Sequence, residues 1–519
     1  MLISALIGGA DVDSAEEEDC LKQIANLVVA KLKGDGLLNQ AVELGLGIEL
    51  IALYRRLCDP LKNAIERQFA ALSGIGLAQW ILRNLRSCPV LDRALYEQSC
   101  QLVHEFATAG HRYLLDQELL ISNGLLRHGV ELSSVRIASA DKHHGQHVLR
   151  FAFVGHGDLY YKPRSGSGAA LCGEVSRHLR HWGLPLVAPE ALIREGYHWM
   201  AGVEYEEKID SKAAKHFAFS GGVLYAVARV LNASDLHFEN IIATKQGPVV
   251  VDCETMCQPR FSAAAAAYLL RRPREEHDDV TSLFLNFDHY GGQEIDYGGL
   301  SCVDVMFRAD PNAGLQVELP WEQRSLRLHR SRSAVEVDGR RIAPAVEHFE
   351  CFVDGIRHAS ECLLCHKDEL IALISPEHIF RVPLRATRVY AAVLAERMAG
   401  ICFSSYAPEA WRSHLEADLQ EAPDGFAAAA RTILDQESAD LDALDIPAAY
   451  VRAGSRDLFV RNAVVPGVFD LSPLEVVRLR INELSPSAVD EQISALRARL
   501  EKATKQRLRR ATSEEVSAS

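Results

Sequence analysis

Residues 217–252 constrain the fold more than any other part of this 519-residue chain. A helical pattern over 217–231 survives the Gly221-Gly222 pair and runs into a polar loop, Asp235-Leu-His237-Phe-Glu239-Asn240. Two short apolar runs follow, Ile241-Ile-Ala-Thr244 and Pro248-Val-Val-Val-Asp252, divided by the turn residues Lys245-Gln-Gly247. The second run ends on an acid. Upstream, 135–139 and 147–154 alternate like strands, 155–158 is a turn, and 159–162 is a third strand. A helix over 169–182 and a hairpin of 191–194 with 196–203 complete the approach.

The flanks differ in character. Residues 1–125 read as helices, with apolar residues at helical spacing over 37–54 and 96–120, and 345–500 is again mostly helical. The turn-rich end reads as a disordered tail. The expected division is therefore a helical region over 1–125, a catalytic core over 126–345, a second helical region over 346–504 and a tail over 505–519.

Composition narrows the function classes. A net charge of −14, from 56 basic and 70 acidic residues, argues against a nucleic-acid partner. The amino terminus lacks a positive n-region and soon meets Glu16-Glu17-Glu18-Asp19, so it is no signal peptide. No run approaches the ~18 apolar residues of a membrane helix. Twelve cysteines in such a chain read as reduced thiols, and the expected location is cytoplasmic. Cys362-Leu-Leu-Cys365-His366 spells a haem-attachment signature, but it lies in a helical pattern without an export signal. No second Cys or His pair accompanies it to make a zinc site.

The chemistry sits in the core. Phosphoryl transfer from ATP needs a cation on the phosphates, oxygen ligands for Mg²⁺ and a carboxylate that orients the attacking hydroxyl. Asp235 precedes Asn240 by five residues, the separation with which kinase catalytic loops offer a base and a metal ligand together. Asp252 leaves an apolar strand where it can reach the same metal, with Glu254 beyond it, and Lys162 ends a strand within Tyr161-Lys162-Pro163-Arg164. Singly these are a turn, a solvated acidic pair and a surface lysine. In this order they make a phosphotransferase site, similar to those of aminoglycoside phosphotransferases and lipid kinases, which also carry a His two residues after the catalytic Asp.

From about residue 89 to 504 the chain resembles the dehydratase domain of class II lanthipeptide synthetases. The resemblance rests on Cys88-Pro-Val-Leu-Asp-Arg93, Asp141-Lys-His143-His-Gly145, Tyr160-Tyr-Lys-Pro-Arg164 and Tyr197-His-Trp199. It continues through Ser234-Asp-Leu-His-Phe-Glu-Asn-Ile-Ile-Ala243, Val250-Val-Asp-Cys-Glu-Thr255, Arg381-Val-Pro-Leu-Arg385-Ala-Thr387 and Asp445-Ile-Pro447. It implies an α+β fold: a two-lobed, kinase-like core similar to lipid kinases, with large flanking helical regions. It also implies ATP- and Mg²⁺-dependent dehydration of Ser and Thr in a ribosomal precursor peptide, by phosphorylation and then phosphate elimination. Hydroxide is a poor leaving group, whereas phosphate departs readily once the α-proton is removed.

On this resemblance Lys162 holds nucleotide phosphates, Asp235 orients or deprotonates the hydroxyl, and His237 supports the loop. Asn240, Asp252 and Glu254 carry Mg²⁺. Arg381 clamps the departing phosphate, Thr387 donates a hydroxyl, and Asp141 and His143 belong to the active centre without an assigned step. Outside the family, Asp141 and His143 would be a turn with solvated His144 and His147, and Arg381 a helix-surface ion pair. The family's C-terminal cyclase is not expected here, so ring closure would fall to a separate enzyme, and the short amino-terminal region leaves leader binding open. A kinase that stops at the phosphorylated product and an inactive leader-peptide-binding subunit are the alternatives.

Overall fold

The structure, a computed structural model, describes residues 49, 89–139, 141–269, 284–285, 298–309, 325–385, 389–391, 393–394, 397, 422–423 and 425–518. Helix α1 (Pro89–Ser122) is followed by strands β1 (Leu132–Ile137), β2 (Leu149–Phe153) and β3 (His156–Lys162). Helix α2 (Ser167–His181) separates these from the hairpin β4 (Ala191–Arg194) and β5 (Tyr197–Ala201), and the strands form one antiparallel sheet ordered β1-β2-β3-β5-β4.

That sheet exists because its residues alternate. Leu149, Phe151 and Phe153 of β2 are buried whereas Arg150 is exposed, which turns one face to water and the other to α1. Phe106, Ala109, Tyr113 and Leu120 recur at helical spacing on α1 and meet that face, with Trp199 from β5 in the same core. A single polar group pins the contact. Asp116 of α1, fully buried, accepts hydrogen bonds from the Tyr197 hydroxyl at 2.7 Å and Trp199 Nε1 at 2.9 Å, and Arg194 Nε lies 3.0 Å away.

A second core surrounds helix α3 (Ser211–Leu231). Asp210 caps its start by accepting from the Ala213 amide, and Asn232 closes it in a left-handed conformation at φ 59°. The hairpin β6 (Ile241–Thr244) and β7 (Gly247–Val250) follows at once. After the pair β8 (Arg260–Phe261) and helix α4 (Ala263–Leu269) come the ladders β9 (Asp304–Ala309) with β10 (Ser325–Arg330) and β11 (Val335–Val337) with β12 (Arg340–Ile342). Helices α5 (Pro344–Glu347), α6 (Phe349–Cys365) and α7 (Lys367–Ala372) lead on. Helix α6 crosses α3 so closely that a Cβ on Gly222 would stand 2.0 Å from the Phe352 carbonyl oxygen, so no larger residue fits there.

The remainder departs from the mostly helical expectation. Strands β13 (Ile379–Val382), β14 (Ala449–Arg452), β15 (Leu458–Val460) and β16 (Ala463–Val465) build a four-stranded antiparallel sheet, and β17 (Phe469–Leu471) pairs with β8. Three- and four-residue strands are too short to print a period of two against the long helices α8 (Ala427–Asp442), α9 (Pro473–Glu483) and α10 (Pro486–Ala518) around them. Arg381 therefore stands on a strand and not on a helix surface. Helix α10 also runs on through Ala518 over the expected tail, where Lys, Gln, Arg, Leu and Ala favour helix and no Gly or Pro interrupts. The chain is thus a mix of helices and small antiparallel sheets. Of the expected amino-terminal helices, those before residue 89 lie outside the described residues apart from residue 49.

Candidate active site

The site is assembled where β3 ends. Lys162 stands opposite His198 on β5, and its side chain is 8% exposed. Its ammonium donates to the Val251 carbonyl at 2.8 Å and lies 3.8 Å from Asp252 Oδ1. Two residues on, Arg164, its side chain 11% exposed, grips Glu254: Nε lies 2.9 Å from Oε1, and Nη1 donates to Oε2 at 3.1 Å. Helix α2 starts directly behind. A Cβ on Gly168 would stand 1.9 Å from the Cys253 carbonyl, so glycine there is what lets α2 press against the segment bearing Asp252 and Glu254.

The polar loop is held from both sides. Asp235 sits in the left-handed region at φ 59°, a conformation that Asp and Asn accept more readily than bulkier residues. The Asn240 side-chain Nδ2 donates to the Asp235 carbonyl at 2.8 Å, and Val251 N donates to the Asn240 carbonyl at 2.9 Å. Ser234 and Thr255 exchange bonds, Ser234 N to the Thr255 carbonyl at 3.1 Å and Thr255 Oγ1 to the Ser234 carbonyl at 2.6 Å. His237 Nδ1 accepts from the Glu239 amide at 3.3 Å, which puts its proton on Nε2, 3.8 Å from Asp235 Oδ1.

Residues distant in sequence complete the ring. Arg381 N donates to the Glu254 carbonyl at 2.8 Å, and Gln258 Nε2 donates to the Arg381 carbonyl at 2.7 Å, so β13 is tied to the segment after β7. His143 lies in a tight turn closed by reciprocal backbone bonds with Gln146 and bonds through Nδ1 to the Ile446 carbonyl at 2.8 Å. Its neighbour His147 is not solvated: it is buried, with Nδ1 2.9 Å from Glu105 Oε2.

Charge makes these residues one site. Burial works against the Asp252 carboxylate, but Lys162, Arg164 and Arg381 outweigh it and hold its carboxyl well below the usual range. Burial raises Glu254 despite Arg164, and Asp252 adds to the rise. Burial also raises Asp141, against the fields of Arg381 and Arg164 and with that of Asp235. His143 is kept neutral by burial, then by Arg381 and Arg164, which bring it down to about 2. Burial and Lys162 hold His198 at about 4.

The chain matches the family profile described as a domain of unknown function, DUF4135, over residues 88–452, which is most of its length. The chain belongs to this family. It is also similar to the lacticin 481/lactococcin biosynthesis protein LcnDR2 of Lactococcus lactis subsp. lactis, 26% identical over 151 residues. That match takes in 27% of this chain and 16% of the relative, so the relative extends far beyond it.

In this DUF4135 chain Lys162, Asp235, His237, Asn240, Asp252, Glu254, Arg381, Asp141 and His143 therefore share one neighbourhood. Thr387 lies outside the described residues. Arg385, from the same motif, turns away into a buried ion pair with Glu437 at 3.0 Å, and the Tyr390 hydroxyl donates to Glu437 at 2.6 Å. Three further residues stand in the same neighbourhood. Arg164 and His198 were visible within quoted motifs, whereas Tyr450, raised by burial and facing the fields of Arg164, Glu254 and Arg381, had no local signal.

Among the described residues no group of three or more His, Cys, Asp and Glu side chains is placed to hold a metal ion. The oxygens that fit Mg²⁺ are fewer. Asp252 is ionised and one-third exposed, and Asn240, whose nitrogen is spent on the Asp235 carbonyl, keeps its side-chain oxygen for a cation. Glu254 has both oxygens against Arg164. Such a sparse set suits a cation that keeps its waters and binds mainly through substrate phosphates.

Proposed function

We propose that this chain acts in lanthipeptide maturation, dehydrating Ser and Thr of a ribosomal precursor peptide with ATP. Its family, its likeness to a lacticin 481 biosynthesis protein and the site chemistry support the reading together. The observation that carries it is the placement of Asp252, 3.8 Å from the Lys162 ammonium and one residue after Val251, whose N–H donates to the Asn240 carbonyl of the Asp235 loop at 2.9 Å. We take the sheet packed on α1 and the helical core around α3 as the lobes of a kinase-like fold, with the site where they meet.

In the first step Asp235 accepts a hydrogen bond from the peptide hydroxyl and orients its oxygen, while Lys162 holds the nucleotide phosphates. The hydroxyl oxygen forms the new bond to the γ-phosphorus, its proton passes to Asp235, the γ-phosphorus–oxygen bond to ADP breaks and ADP leaves. Mg²⁺, held by Asn240 and Asp252, would supply charge neutralisation at the phosphates. In the second step a base takes the α-proton, the C–H electron pair forms the Cα–Cβ double bond, and the Cβ–O bond breaks with its pair leaving on phosphate, which yields a dehydro residue. Negative charge gathers on the departing phosphate, which Arg381 stabilises and to which Thr387 donates.

The partner is the precursor peptide, and because that peptide is a ribosomal product we place the reaction in the cytoplasm. Among the described residues no helix is long and apolar enough to cross a membrane. The test is the mass of a precursor peptide after incubation with enzyme, ATP and Mg²⁺. Loss of one water per modified site supports the reading. Phosphate gained and never lost leaves a peptide kinase, and an unchanged peptide refutes both.

A further inference from the structure

Two quoted motifs, Asp141-Lys142-His143 and Asp445-Ile446-Pro447, take no part in the chemistry above beyond their nearness to it. The structure interlocks them across more than 300 positions of sequence. Ile446 N donates to the Lys142 carbonyl at 2.8 Å, and His143 Nδ1 bonds back to the Ile446 carbonyl at 2.8 Å. Between these bonds Lys142 Nζ lies 2.9 Å from Asp445 Oδ1, with side chains 9% and 0% exposed. Lys142 also donates to Gln98 Oε1 at 2.6 Å and Gln101 Oε1 at 3.1 Å on α1, and Gln98 Nε2 donates to the Ala443 carbonyl at 3.1 Å. Helix α1, the turn at 141–146 and the end of α8 are thus stitched around one ammonium.

A carbonyl oxygen can only accept, so His143 Nδ1 must carry a ring proton, and because burial, Arg381 and Arg164 oppose a charge on the ring, the lone pair is left on Nε2. A buried ion pair is a weak source of stability, because desolvation consumes most of its Coulomb gain. What Lys142–Asp445 does provide is register between residues 142 and 446.

We propose, resting on the function above, that Asp445 is a positioning residue: through Lys142 it seats the 141–146 turn on residue 446 and fixes His143 as a neutral imidazole with its lone pair on Nε2. His143 then carries an acceptor at that nitrogen and not a donor. Asp141, one residue from Lys142, is set by the same lock near Arg381, Arg164 and Asp235.

The experiment replaces both charges at once, Lys142→Met with Asp445→Leu, so that no unpaired charge is left buried and the fold is kept. Lys142→Arg, which keeps the charge but alters its reach, is measured beside it in case the double variant does not fold. Nitrogen-15 histidine spectra at neutral pH, with His143 assigned by its loss in His143→Gln, read the tautomer directly. Steady-state kinetics with MgATP and a lacticin 481-type precursor peptide read the consequence. The wild type should show the Nδ1–H form. The double variant should show mixed tautomers and a kcat lower by roughly 100-fold, as for a group displaced by about an ångström, with KM for MgATP within about twofold. Lys142→Arg should move both readouts the same way, less far. An unchanged tautomer, or a changed tautomer with wild-type kcat, overturns the proposal. If the wild type leaves the peptide unmodified, the function above fails while the spectra still decide the positioning: a changed tautomer upholds it and an unchanged one sinks it.

Discussion

Replacing Arg164 by Met should show how the site holds two carboxylates side by side. Arg164 and Glu254 are 11% and 8% exposed and meet through two nitrogen–oxygen contacts, 2.9 and 3.1 Å. Methionine fills much of the volume but leaves Glu254 buried without its main partner. Breaking a buried pair in this way costs about 3–5 kcal/mol, far more than the ~1 kcal/mol ceiling of an exposed pair. The loss should depend on pH. Burial already raises Glu254, with Arg164 as the first influence holding it down. Without Arg164 the folded-state pKa rises further above its unfolded value of 4.5. The folded protein then binds the proton more tightly than the unfolded chain does. Stability is retained below pH 4.5 and drains as pH rises through the raised value, so the variant's deficit should be smaller at pH 5 than at pH 7. Removing both partners, Arg164→Met with Glu254→Met, should return most of the loss. Urea unfolding at the two pH values, with the m-value checked for constancy, measures all of this. A deficit below about 1 kcal/mol, or one equal at both pH values, would refute the reasoning.

Asp235→Asn keeps a residue that tolerates φ 59° but removes the carboxylate, so phosphorylation should fall roughly 10²- to 10⁴-fold with nucleotide affinity retained; near-normal turnover would remove Asp235 from the mechanism. Arg381→Ala should slow elimination about 30- to 1000-fold, a loss of ~2–4 kcal/mol, and let phosphorylated peptide accumulate. Pre-phosphorylated peptide offered with ADP isolates that step, and wild-type elimination there would make Arg381 a bystander. His198, held at about 4 against 6.5 by burial and then Lys162, stays neutral in the folded protein while the unfolded chain takes up a proton. Its contribution, about 3 kcal/mol, is present above pH 6.5 and lost as pH falls from there to about 4. His198→Phe should flatten that part of the pH–stability curve, and an unaltered slope would show that another group carries it.

The sequence alone determined the parts that depend on neighbours along the chain. Strand β3 with Lys162 at its end, the buried helix α3, the loop from Asp235 to Asn240 and the hairpin before Asp252 were all legible, because period, turn residues and spacing are local. Even there Asp252 falls two residues past the end of β7 at Val250, since the bend that turns the chain leaves no periodic mark. Only tertiary structure decided the rest. Arg381 reaches the site through a bond to the Glu254 carbonyl, Tyr450 stands opposite it in the neighbouring strand, and Ile446 holds His143 from 303 positions away. Three- and four-residue strands gain their partners from the sheet they join and not from their own pattern. Charge behaves likewise. The sequence shows that Asp252 is an acid, but whether it is ionised depends on three cations delivered by the end of β3, the turn after it and β13. A carboxylate's state is set by what surrounds it in space, and residue order leaves those neighbours unspecified.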